Sequence, residues 1–278
     1  MAQGKNAVAG FTTSAPRLHY ELRAAGDGVS SQSPLTFVLA HALGCDLMMW
    51  DGLVPHLARH GRVLRYDQRG HGGSEAPPGP YTMAELADDA ARLIDEVVAG
   101  PVVWVGLSMG GMVGQELALR YPDKVRALVL ANTTSAYPQE AQAGWAQRIA
   151  GIERGGLEAI VDGALQRWFH TGFHAEHPEV VAHWRARVLR CDAAAYVACC
   201  QAIADIDTTA RLPGIAVPTL VIAGALDQGT PPEMAQTIAR GIPGAQLKVL
   251  PQASHLSVLE QPQAFRAALD DWLRQAQA

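Results

Sequence analysis

The sequence predicts an α/β fold, a mostly parallel central sheet flanked by helices, with a helical lid inserted before the last two strands. Three observations carry this expectation. Short apolar, β-branched runs alternate with helical periodicities along most of the chain, as in crossover units. That alternation breaks once, between about residues 136 and 212, where helical patterns follow one another with no strand between them. Finally, the apolar run at 102–107 ends in a glycine-flanked turn that opens a helix.

Taken in order, residues 17–24 (RLHYELRA) alternate apolar and polar, as an exposed antiparallel strand does. Apolar strand-like runs follow at 36–41, 61–67, 102–107, 125–132, 217–224 and 245–251. VVWV, at 102–105, has no polar alternation and suits a strand buried on both faces. Between strands, Met83, Leu86, Ala90, Leu93 and Val97 recur on one helical face. In the interrupting block, Leu157, Ile160, Val161, Ala164, Leu165 and Trp168 mark an amphipathic helix. PEVVAHWRARVLR and AAAYVACCQAIAD read as two more. The chain therefore divides into a core of residues 1–135 and 213–278 and a lid, or cap, of residues 136–212. Placed there, a lid covers the C-terminal edge of the sheet, where open α/β sheets bind ligands.

A net charge of −5 with no basic cluster argues against a nucleic-acid partner. No apolar run is long enough to span a bilayer, and the first residues carry too weak a patch for a secretory signal. A cytoplasmic protein is expected. Four cysteines, two of them adjacent at 199 and 200 and none in a C-x-x-C spacing, make no disulfide framework.

Gly106-Leu107-Ser108-Met109-Gly110 sits at a strand–turn–helix junction and matches G-x-S-x-G, the nucleophile elbow. The glycines are explained if the serine takes a strained conformation and a side chain at either glycine would crowd the neighbouring strand and helix. The plainer reading, a serine that caps the helix, remains beside it. A hydroxyl nucleophile needs a base, and the base needs an orienting carboxylate. Asp227 follows the first strand after the lid and His255 follows the last strand, giving the order nucleophile, acid, histidine. Ser108, Asp227 and His255 are therefore the candidate catalytic residues. Oxyanion donors are expected from the Met109 backbone N–H and from the loop His41–Asp46, where they are assigned to the Leu43 N–H. His41 is read as a brace for that loop and Cys45 as packing.

Other features suggest less. His170, His174 and His177 lack a nearby carboxylate cluster of clear spacing, so no metal site is expected. Arg69-Gly70-His71-Gly72-Gly73 lacks the Lys-Ser/Thr ending of a phosphate loop. Leu47-Met48-Met49-Trp50 reads as core or pocket wall.

HALG, YDQRGHGGS, GLSMGG, the acid loop and the SH-x-x-x-x-EQP ending together resemble the α/β-hydrolase superfamily over nearly the whole chain. LGCDLMMWD, VLRYDQRGHGGSEAPPGPYTM, LANTT and the lid segments around Trp145–Ile149, Arg167–Phe169 and Tyr196–Ile203 are similar to those of 3-oxoadipate enol-lactonases. One departure is His41-Ala42-Leu43-Gly44, where such lactonases tend to have Asn-Ser-Leu-Gly. The resemblance implies a cofactor-free serine hydrolase acting on a small-molecule lactone or ester through an acyl-enzyme. It further implies that Arg148 and Arg167 meet a substrate carboxylate and that Trp145 and Trp168 wall the pocket. A general carboxylesterase or a cofactor-free perhydrolase stays open, as does a non-catalytic receptor on the same fold.

Overall fold

The computed structural model describes residues 7–26, 35–98 and 100–276. Eight strands form one sheet: β1 (Ala7–Phe11), β2 (His19–Arg23), β3 (Leu35–Ala40), β4 (Gly61–Tyr66), β5 (Val102–Leu107), β6 (Val125–Ala131), β7 (Thr219–Gly224) and β8 (Gln246–Leu250). Their order is β1-β2-β4-β3-β5-β6-β7-β8, antiparallel at β1–β2 and β2–β4 and parallel from β4 onward. The α/β architecture and the mostly parallel sheet match expectation. β1 is additional: AVAGF is short and exposed, and only its pairing with β2 defines it.

Every residue of β5 is buried, as its unbroken apolar run requires of a central parallel strand. Each such Val or Leu contributes about 1.5–3 kcal/mol relative to an exposed one. Trp104 is fully buried and donates its indole N–H to the Gly110 carbonyl at 3.0 Å, tying the strand to the helix that follows. A Cβ at Gly114 would lie 2.5 Å from that indole nitrogen, so the close packing of helix on strand depends on this glycine.

The helices are α1 (Val54–Leu57), α2 (Met83–Val97), α3 (Met109–Arg120), α4 (Gln139–Gly155), α5 (Val161–Trp168), α6 (Thr171–Glu176), α7 (Pro178–Val188), α8 (Ala193–Ala204), α9 (Pro232–Gly241), α10 (Ser257–Glu260) and α11 (Pro262–Ala276). Thr82 and Glu85 form a reciprocal capping box that starts α2. The run from α4 to α8 lies between β6 and β7, with α4 packed on α8 and α7 on both α5 and α6. α4 and α6 extend the helical block beyond the three helices that periodicity marks. This block meets the core at loops beyond the C-terminal ends of strands. Leu256 N–H donates to the Trp168 carbonyl at 3.1 Å, Ser254 Oγ to the Arg167 carbonyl at 3.2 Å, and the Arg187 guanidinium pairs with Asp46. Among the described residues no helix is long and apolar enough to cross a membrane.

Candidate active site

Ser108 stands between β5 and α3 with φ 55° and ψ −117°, a backbone conformation that a non-glycine residue rarely adopts. Its surroundings enforce the turn. Ser108 N–H donates to the Ala131 carbonyl at 2.9 Å, and its own carbonyl accepts from Gly111 N–H and Thr133 Oγ1, both at 2.8 Å. A Cβ on Gly106 would lie 2.1 Å from the Gly110 carbonyl oxygen, and one on Gly110 would lie 2.1 Å from that of Ala40. Both glycines of the G-x-S-x-G motif are thus required by sterics. Ser108 has no side-chain capping bond, so the plainer reading of it as an N-cap lacks its defining contact.

The structure brings Ser108, His255 and Asp227 together. His255 Nε2 lies 2.9 Å from Ser108 Oγ, and His255 Nδ1 lies 2.8 Å from Asp227 Oδ2. Burial by itself raises the pKa of Asp227. The charge of His255 and hydrogen bonds from His255, Thr230 and Asn132 outweigh that and hold the carboxyl below its ordinary value. Ionised, Asp227 can only accept, so Nδ1 carries the imidazole proton and Nε2 is left to accept from the serine hydroxyl. The arrangement can take a proton from Ser108 and hold the resulting imidazolium against a buried carboxylate.

Three residues that sequence reasoning did not single out complete the cradle of Asp227. Asn132, with φ 46°, donates Nδ2 to Asp227 Oδ2 and to the Ser254 carbonyl, each at 3.0 Å. Thr230 Oγ1 donates to Oδ2 at 2.8 Å, while the N–H groups of Gly229 and Thr230 reach Oδ1 at 2.8 and 3.0 Å. Asp-Gln-Gly-Thr carried the signal of an Asx-type turn, in which the carboxylate accepts from backbone N–H groups just beyond it. Asn132 gave no such local signal, because its partners lie 95 and 122 residues away.

Of the expected oxyanion donors, Leu43 is buried at 5% exposure and Met109 fully so. Among the described residues neither N–H has a protein acceptor, which leaves both free for a developing negative charge. Two neutral imidazoles brace the loop that carries Leu43. His41 Nδ1 donates to the Ala42 carbonyl at 2.8 Å and its Nε2 accepts from Gln68 N–H at 2.9 Å. His71 Nε2 accepts from Gly44 N–H at 3.0 Å, and burial first, then the neighbouring His41, pushes its pKa down to about 3. In the sequence His71 reads only as part of a glycine-rich turn. Burial drives the Cys45 thiol well above its ordinary pKa, consistent with packing and not with a second nucleophile.

His255 lines a cleft of about 560 Å³ together with Trp145, Arg148, Arg167 and Trp168, all four of the expected pocket residues. Tyr137 and Gln228, which sequence reasoning missed, line it too. The Arg148 guanidinium lies 4.4 Å from the centre of the Trp145 ring. Among the described residues neither Arg148 nor Arg167 has an acidic partner, whereas Arg185 pairs with Glu158 and Asp162 and Arg187 with Asp46. Burial, and then the charge of Arg148, lower the pKa of Arg167. His170, His174 and His177 serve separate partners. His170 Nδ1 accepts from Phe173 N–H at 3.3 Å, His174 Nε2 meets the Leu165 carbonyl at 3.1 Å, and His177 Nδ1 faces Glu179 at 3.6 Å.

Comparison with known proteins identifies the family of the fold. The model of the alpha/beta hydrolase family matches residues 37–268. The chain is 37% identical to "3-oxoadipate enol-lactonase 2" of Acinetobacter baylyi over 84% of its own length and 86% of the relative's. The crystal structure of the enol-lactonase from Burkholderia xenovorans LB400 superposes with a TM-score of 0.88 at 36% identity, covering 95% of this chain and 100% of that one. A malate-bound thermophilic esterase from Thermogutta terrifontis superposes with a TM-score of 0.85 at 32% identity, covering 99% and 100% of the two chains.

Proposed function

The chain belongs to the alpha/beta hydrolase family, and on that premise we propose that it is a serine hydrolase opening an anionic lactone through an acyl-enzyme on Ser108, with 3-oxoadipate enol-lactone as the substrate. The observation that carries the reading is Arg148 and Arg167, two cations without acidic partners in the cleft that His255 lines. Holding two like charges beside each other, both partly buried, is unfavourable until an anion enters. A substrate carboxylate supplies that anion, and its charge-assisted hydrogen bonds orient the lactone carbonyl toward Ser108. Residues 136–212 act in this reading as a lid that supplies Trp145, Arg148, Arg167 and Trp168.

Ser108 Oγ attacks the lactone carbonyl carbon while its proton passes to His255 Nε2. The oxygen of the tetrahedral intermediate takes the N–H groups of Leu43 and Met109. Collapse breaks the ring carbon–oxygen bond, and the enol oxygen leaves with the proton from His255. The released enol becomes a ketone, still tethered to Ser108 through the acyl group. Water, deprotonated by His255, then attacks the ester carbonyl, and collapse returns the proton to Ser108 and frees the acid. Asp227 fixes the imidazole tautomer and stabilises the imidazolium in both halves.

A carboxylesterase reading draws on His41-Ala42, which departs from the lactonase loop, and on the likeness to the Thermogutta terrifontis esterase. Malate in that structure is itself a dicarboxylate, so the two readings share an anionic ligand and differ in the bond cleaved. The test is kcat/KM for the anionic enol-lactone against neutral p-nitrophenyl acetate, in the native chain and in Arg148→Ala and Arg167→Ala. Losing one charge-assisted hydrogen bond costs about 1.5–3 kcal/mol, so the lactone should lose about 10- to 100-fold, mainly in KM, with the neutral ester unchanged. Equal effects on both substrates, or none on the lactone, remove the carboxylate clamp.

A further inference from the structure

Outside the cleft, two imidazoles and a carboxylate converge from opposite ends of the chain. His56 lies in α1 and His60 one turn later, where Arg59 N–H and His60 N–H still donate back to the His56 and Leu57 carbonyls, at 3.2 and 2.8 Å. That four-residue spacing puts both rings on one side of the turn. Asp270 reaches them from α11, with Oδ1 2.8 Å from His56 Nε2 and 3.5 Å from His60 Nε2. All three donor atoms lie within 4.8 Å of one another.

We propose that His56, His60 and Asp270 form a binding site for a divalent transition-metal ion of the zinc type. Bonds of about 2.0–2.2 Å to a tetrahedral ion place neighbouring donors roughly 3.3–3.5 Å apart. His60 and Asp270 already have that spacing. His56 Nε2 needs to withdraw from Asp270 by about half an ångström. Two imidazoles and one carboxylate are a donor set suited to Zn²⁺, with the fourth position left to water. Solvent can reach the ion, because the His60 and Asp270 side chains are 34% and 28% exposed.

One local contact must change. Arg59 now donates a guanidinium N–H to His56 Nδ1 at 2.5 Å, which fixes the His56 proton on Nε2, where it faces Asp270. Metal binding at Nε2 shifts the His56 proton from Nε2 to Nδ1 with no net proton release, and a protonated Nδ1 can no longer accept, so Arg59, an exposed residue, turns away. The bound ion would join segments 214 residues apart in sequence. A direct contact between the same segments exists already, from Arg266 to the Gly52 carbonyl at 2.6 Å. The ion would thus act as a second fastening of the C-terminal helix.

The test is calorimetric titration of chelator-treated full-length protein with ZnCl₂ near pH 7.5, for the native chain, His60→Ala, Asp270→Asn and Arg59→Ala. The proposal expects one equivalent bound, at least about tenfold weaker in His60→Ala and Asp270→Asn. Arg59→Ala removes no ligand and should bind several-fold tighter, a gain that misfolding cannot produce. Zinc should also raise Tm in the native chain and in Arg59→Ala, by the mass action of an ion that binds the folded state. Hydrolytic activity without metal serves as the folding control, since none of these residues lines the cleft. Equal affinity in the native chain and His60→Ala, or no binding up to millimolar Zn²⁺, overturns the proposal.

Discussion

Asn132 and Asp227, 95 residues apart in sequence, are joined by a 3.0 Å hydrogen bond from Nδ2 to Oδ2, made from a left-handed backbone at Asn132. The same amide nitrogen donates to the Ser254 carbonyl, so one side chain ties the acid to the loop that carries His255. Replacing Asn132 by Gly keeps the backbone conformation accessible and removes only the side-chain bonds. The expected cost is about 1–3 kcal/mol of stability, because a buried carboxylate and a buried carbonyl each lose a donor. The expected kinetic effect is a fall in kcat with KM little changed, measured on any turned-over ester. An unchanged kcat would mean that Thr230 and the backbone N–H groups hold Asp227 without help.

The bond from Gly44 N–H to His71 Nε2 requires a neutral imidazole, and the pKa of about 3 for His71 keeps it so. The unfolded chain binds that proton near pH 6.5, the folded chain only near 3. Between those values the unfolded state holds more protons, so stability falls as pH falls, by up to about 1.4 kcal/mol per unit for this one group. His41, also lowered by burial, adds to the slope in the same direction. Urea unfolding at pH 7 and pH 5 should show the loss in the native chain and a smaller one in His71→Gln. Equal losses in both proteins would remove His71 as the source.

Gly110→Ala places a Cβ 2.1 Å from the Ala40 carbonyl oxygen and 2.9 Å from its Cβ, where α3 packs on β3. Backbone cannot yield as a flexible side chain does, so destabilisation of about 3 kcal/mol or more is expected from the urea midpoint. Because α3 begins at Met109, whatever helix shift relieves the clash should also lower kcat. A fully stable Gly110→Ala protein would show that the turn has more room than these distances allow.

The elbow, the acid and the histidine were legible because each is announced by local residues: a strand, a turn, and one functional side chain at the strand's end. The parallel sheet was legible for the same reason, through runs such as VVWV that no exposed strand would carry. β1 was not legible, since AVAGF owes its strand conformation to pairing with β2 and not to its own pattern. Asn132 and His71 were missed because their roles exist only in three dimensions, in bonds to Asp227 and Gly44. The His56–His60–Asp270 cluster belongs to the same class: His-x-x-x-His alone says little until α11 brings Asp270 beside it. Arg148 and Arg167 stood out from the other arginines of the α4–α8 block only by resemblance. Their shared place in the cleft beside His255 became visible only in three dimensions.

The most direct test of the account is the rate at which 3-oxoadipate enol-lactone loses its ultraviolet absorbance with native protein and with Ser108→Ala at equal concentration. Rapid loss is expected with the native chain and a fall of about 10⁴-fold or more in the variant, the scale of losing a serine nucleophile. No loss above the uncatalysed rate with native protein, or a Ser108→Ala protein within tenfold of it, would contradict the account.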